Sequence, residues 1–148
     1  MSYFPDMGKQ TLGAEGDHVR AVGWLHPDQP YPKGAVSAEF VDRLESFVEQ
    51  CEASGDALYF GASGGVHTCE FCGKALGASK FGVPCGNLLF VAPDLILHYI
   101  QQHGYRPPAE FVTAVLHSPL PESEDYQSMT EPFWHIHKSL VRRDCEDF

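Results

Sequence analysis

The sequence predicts an α+β domain, a small sheet with several short helices, in which residues 67–104 form a β-hairpin–helix unit. Three observations lead there. An apolar stripe of helical period runs through 38–54, and short β-prone apolar runs flank it. A Cys-x-x-Cys pair then precedes a helix that carries two histidines.

In chain order, "HVRAVGWL" (18–25) alternates loosely and is β-prone, so it reads as a strand. "HPDQPYPKG" (26–34) holds three prolines and a glycine and reads as a loop with a turn. Ser37 is placed to cap the helix "AEFVDRLESFVEQCEAS", whose Phe40, Val41, Leu44, Phe47, Val48 and Cys51 share one face. Gly55 ends it. "ALYF" (57–60) follows as a short strand, and "GASGG" (61–65) as a hinge into the cysteine pair. "KFGVP" and "NLLFV" are two further strands joined by a tight turn at Cys85–Gly86. The next helix is expected from near Pro93 to a stop at Gly104. After "RPP", "AEFVTAVLHS" forms another helix before Pro119, and Tyr126–Arg143 is mostly helical around the break at Pro132. One domain is expected over 1–148, with 119–148 at its periphery.

Net charge is −10 over 148 residues, and the ten Lys and Arg side chains hardly cluster. Such a surface repels phosphate, so no nucleic-acid partner is expected. The acidic stretches "PESEDY" (121–126) and "DCEDF" (144–148) read as solvated, flexible edges. The longest apolar window, "NLLFVAPDLILHYI", is interrupted by Pro93 and Asp94 and is too short for a bilayer, so no membrane association is expected. No basic segment followed by an apolar run opens the chain, and five cysteines are too odd a number for a disulfide framework. The expectation is a cytoplasmic protein whose cysteine pair is metal-binding or redox-active.

The chemistry lies in "HTCEFCGK" and in the helix that follows. Written out, the pattern is Cys69-x2-Cys72, a gap of 25 residues, and His98-x4-His103. A tetrahedral zinc site needs two thiolates from a tight knuckle and two imidazoles from one helix surface, which this order supplies. Gly73 follows the second cysteine, where a residue without Cβ lets backbone N–H groups turn toward the sulfurs. The stretch resembles a Cys2His2 zinc finger, with an enlarged hairpin where that family has about 12 residues between its ligand pairs. On an ideal helix, positions five apart diverge by roughly 140°. His103 therefore needs a loosened last turn before Gly104, and His67 and Cys85 are the substitute ligands. DNA reading is not expected: "APDLILHY" offers an aspartate and apolar residues where base-reading fingers carry Arg, Asn, Gln or His.

Weaker constellations are His135 and His137 in "WHIH", with His117 or Cys145 as helpers, read as a wet surface pair. Glu70, between the cysteines, could support a ligand or act as a base on metal-bound water. No H-E-x-x-H, G-x-S-x-G or phosphate-cradling loop occurs. The segments "SYFPDM", "VGWLHPDQPYPKGAVSAEFVDRL", "GGVHTCEFC" and "APDLILHYIQQHGYRPPAEFVTAVL" resemble a family of short, uncharacterised bacterial proteins of unknown function, over most of residues 2–116. The resemblance implies a compact domain in which the knuckle and the histidine helix recur as a set and His67 belongs to the motif. It implies no activity.

The resulting expectation is one structural zinc ion on Cys69, Cys72, His98 and His103, with Gly73 and Glu70 in support. The protein would bind another protein, and Trp24, Tyr31, Phe81 and Tyr105, if exposed, would form the interface. Two alternatives stand beside it: a zinc-dependent hydrolase with an open metal position, and a thiol redox protein working through Cys69 and Cys72. The redox alternative would need the pair to open a helix after a strand, whereas Gly73 follows it directly.

Overall fold

The computed structural model describes residues 3–11, 14–54 and 62–133. The fold is α+β, as the periodicities predict. A two-stranded ribbon, β1 (Gln10–Thr11) and β2 (Ala14–Glu15), precedes β3 (Val19–Ala21) and the long helix α1 (Ala38–Ser54). Strands β4 (Ala62–Thr68), β5 (Leu76–Cys85) and β6 (Leu88–Pro93) follow, then α2 (Ile96–His103) and α3 (Ala109–His117). Residues 124–133 are helical as well. The main sheet has the order β3-β6-β5-β4, antiparallel except for the parallel β3–β6 pair.

Alternation along the strands sends two sets of side chains to opposite faces, and both faces are covered. Phe81, Val83, Phe90 and Ala92 join Phe40, Leu44, Phe47, Phe111 and Val115 in the larger core. Val19, Ala21, Leu89 and Val91 meet Trp24 and Phe133 in a smaller one. Cover on both faces explains why "NLLFVAP" is apolar without alternation. In α1, the Phe40 N–H donates to Ser37 Oγ at 3.1 Å, the expected cap. Phe40, Leu44, Phe47, Val48 and Cys51 are buried along its stripe, with Val41 half-buried at the edge.

Several expectations need correction. "GASGG" is no hinge: from Ala62 it is part of β4, paired with β5 through His67↔Gly77 and Thr68↔Leu76. The β5–β6 turn falls at Gly86–Asn87, one residue late, because Cys85 still pairs with Leu88. Pro93 ends β6 and α2 begins only at Ile96, since Pro93 still pairs with Lys80 across the hairpin. Residues 119–133 are not peripheral. Pro121, Tyr126, Thr130 and Phe133 are buried, and the Tyr126 hydroxyl donates to the Gly82 carbonyl at 2.7 Å. The expected strand 57–60, the stop at Gly55, the pair His135 and His137, and Cys145 lie outside the described residues.

Candidate metal centre

The cysteine pair sits in the loop that joins β4 to β5. That loop is closed by the Cys69 N–H donating to the Ala75 carbonyl at 2.9 Å and tightened by the Gly73 N–H donating to the Cys69 carbonyl at 2.7 Å. Gly73 takes φ 69°, the left-handed region that glycine enters at least cost. The turn aims backbone N–H groups of Cys72 and Phe71 at the Cys69 sulfur, and those of Lys74 and Ala75 at the Cys72 sulfur. This is the arrangement expected of a knuckle that holds thiolates.

The histidines arrive from α2. Leu95, Ile96, Tyr99 and Ile100 are buried and anchor the helix, while His98 and His103 emerge half-buried. The required loosening of the last turn is present. Gly104, at φ 66°, sends its N–H to the Tyr99 carbonyl five residues back, and Tyr105 N–H reaches the same oxygen at 3.1 Å. A turn widened in this way brings positions five apart round to one side.

Cys69, Cys72, His98 and His103 therefore converge, with one donor atom from each lying within 4.8 Å of the others. Cys69 Sγ is 3.4 Å from His103 Nε2, and Cys72 Sγ is 3.4 Å from His98 Nε2. The two Nε2 atoms are 3.1 Å apart. Around a tetrahedral zinc, with bonds of about 2.3 Å to sulfur and about 2.05 Å to nitrogen, S···N edges are about 3.5 Å and N···N edges about 3.3 Å. The donor set and its spacing fit such an ion.

Burial pushes the Cys69 thiol up, against the pull of the N–H groups of Cys72 and Phe71. The Cys72 thiol is held below its usual range, chiefly by the Lys74 N–H. His98 is harder to protonate because of burial and then because of its neighbour His103. His98 is thus held toward the neutral form in which an imidazole ligates a metal.

The remaining expectations divide. His67 lies in β4 opposite Gly77, and Cys85 is exposed at the far end of β5; neither belongs to the converging group. The 25-residue gap is not an enlarged finger hairpin. The knuckle closes the β4–β5 hairpin, and the added length is a second hairpin, β5–β6, laid beside it. Glu70 points to His26, with Oε2 3.0 Å from Nε2. Trp24, Phe81 and Tyr105 are buried and so form no surface: the Trp24 indole N–H donates to the Val91 carbonyl at 3.0 Å, and the Tyr105 hydroxyl donates to Asp6 at 2.8 Å. Only Tyr31 of those four reaches solvent. Sequence reasoning missed Phe71, whose ring lies 5.2 Å from that of His103 and packs edge-on to Tyr31 and Tyr99. An aromatic residue between the two cysteines was the available signal.

The chain belongs to the family described as a domain of unknown function, DUF7919, whose model matches residues 2–116 and so includes all four converging residues. No curated protein and no solved structure matches it.

Proposed function

We propose that Cys69, Cys72, His98 and His103 hold one structural zinc ion, and that the protein is a small cytosolic module that binds another protein. The single observation carrying the metal is the convergence of the four donors within 4.8 Å, with two S···N distances of 3.4 Å and one N···N distance of 3.1 Å near the edges of a zinc tetrahedron. Two thiolates and two imidazoles favour zinc among the abundant divalent ions. Four protein donors complete a tetrahedron, which supports a stabilising ion over a hydrolytic one. Glu70, the base in the hydrolase alternative, is paired with His26. The proposed binding role draws on the surface that the ion would hold in place: Leu76, the first residue of β5 after the knuckle, is 67% exposed. The acidic surface and the buried start of α2 give no support to a nucleic-acid partner.

Elemental analysis of the purified, untagged protein tests the metal, run beside Cys72→Ser and His103→Ala. About one zinc per chain, lost in both variants, is expected. A folded His103→Ala protein that keeps its zinc would return the fourth position to water and favour the hydrolase. Metal-free wild-type protein, purified reduced and without chelator, would overturn the site and leave the thiol redox reading.

A further inference from the structure

The loop 26–34, which looks like a mere connector, touches both halves of the metal centre. Its first residue, His26, pairs through Nε2 with Glu70 of the knuckle at 3.0 Å. Five residues on, the Tyr31 hydroxyl donates to the backbone carbonyl of His103 at 2.8 Å, and the Tyr31 ring packs against Phe71 at 5.4 Å and Tyr105 at 6.2 Å. The end of the loop then pairs with the chain leaving α2. Gly34 N–H donates to the Gly104 carbonyl at 3.1 Å, Arg106 N–H donates to the Pro32 carbonyl at 2.9 Å, and Lys33 bridges antiparallel to Tyr105.

We propose that this loop is a strap that retains the metal ion, with Tyr31 and His26 as positioning residues for ligands they do not themselves replace. The inference rests on the zinc reading above. Two ligands come from the knuckle and two from α2, and no residue of α2 is close in sequence to the knuckle. The strap ties the two pairs together a second time, through Glu70 and Phe71 on one side and His103 to Arg106 on the other. Pro27, Pro30 and Pro32 limit the conformations open to it when detached, so the cost of holding it in place is reduced. Within the strap only His26 and Tyr31 are even partly buried, so these two side chains and the 32–34 backbone bonds are what hold it down. Loss of an outer partner of a metal ligand typically weakens binding by about 10- to 100-fold.

The test is zinc transfer from the loaded protein to a chromogenic chelator, for wild type, Tyr31→Phe, His26→Ala and the double variant. Cobalt(II) absorption spectra of the same proteins report the ligand set. Tyr126→Phe is the control, because it removes a comparable hydroxyl–carbonyl hydrogen bond, to Gly82, that touches no ligand. Release is expected to quicken by about tenfold in each strap variant and further in the double, with an unchanged cobalt spectrum and no change in the control. Release as slow as wild type in the strap variants, or equally fast in Tyr126→Phe, would overturn the strap while leaving the zinc site intact. Wild-type protein that takes up no metal would overturn the zinc reading and the strap with it.

Discussion

The α1–α3–sheet body and the knuckle end of this molecule are held together by different means. In the body, Phe111 is fully buried and sits edge-on to Phe40 and Phe90, while Phe47 packs on Phe81 and Tyr126. Removing this apolar surface from water is the main favourable contribution to ordering α1, α3 and the sheet. At the knuckle end, Gly73, Lys74 and Leu76 are exposed, and Phe71, Cys72, His98 and His103 are only half-buried. Phe71, Cys72 and Ala75 pack on the margin of the larger core around the buried Cys69 and Tyr99. Convergent donors, backbone N–H groups aimed at sulfur and a proline-rich strap add to that partial burial.

Metal removal should separate the two regions most sharply. Structural zinc contributes about 10–16 kcal/mol of apparent binding free energy in finger peptides. In Cys72→Ser, amide protons of 67–77 and 98–106 are expected to exchange freely, while those of α1 and the β5–β6 hairpin beyond Lys80 stay protected. Hydrogen exchange followed by mass spectrometry checks this. Uniform loss of protection would mean that the body depends on the ion too, and the contrast between the regions would fall.

The reverse experiment comes next in size. Phe111→Ala should cost about 3–5 kcal/mol in urea unfolding, through lost transfer energy and the cavity left behind. Below the unfolding midpoint the variant should still carry about one zinc per chain. Early metal loss would tie the site to the α3 packing.

Gly77→Ala probes the seam between the regions. A methyl group there would come 2.8 Å from Leu95 Cγ and closer still to the Asp94 carboxylate, at the entry to α2. The expected cost is about 1–3 kcal/mol of overpacking, together with faster zinc release because the knuckle is pushed away from the histidine helix. Destabilisation without any change in release would show that the two hairpins move independently of the site.

The convergence of Cys69, Cys72, His98 and His103 was legible because its chemistry is local: C-x2-C makes a knuckle by itself, and H-x4-H sits just before the glycine that widens its turn. What the intervening 25 residues do was not legible, since spacing cannot say whether one hairpin grows or a second is added. Trp24, Phe81 and Tyr105 looked like candidate interface residues because burial on both faces of a sheet depends on elements far away in the chain. Phe133, which covers the second face, is more than a hundred residues from Trp24 and stacks on His18. The strap was hidden for the same reason: the Lys33↔Tyr105 bridge joins positions that no periodicity relates. A tyrosine between two prolines in an otherwise exposed loop was the one local hint.

The smallest expected effect concerns Asp6, which ties the N-terminal segment to the body. Its carboxylate accepts the Gly23 N–H at 3.0 Å and the Tyr105 hydroxyl at 2.8 Å, yet burial outweighs both bonds and raises its pKa above the ordinary 3.8. A raised folded-state value means that the folded protein binds this proton more tightly than the unfolded chain does. The contribution to stability is therefore full below the unfolded pKa and is lost as pH rises through the folded one. Asp6→Asn removes the titration and keeps an acceptor for Gly23 N–H. Its stability deficit relative to wild type should narrow with rising pH, in urea titrations run above the range where acid strips zinc from its ligands. A deficit that widens with pH would show that the two donors stabilise the carboxylate by more than burial costs it. The N-terminal segment would then be held by an ionic tie, closer in kind to the metal end than to the apolar body it lies on.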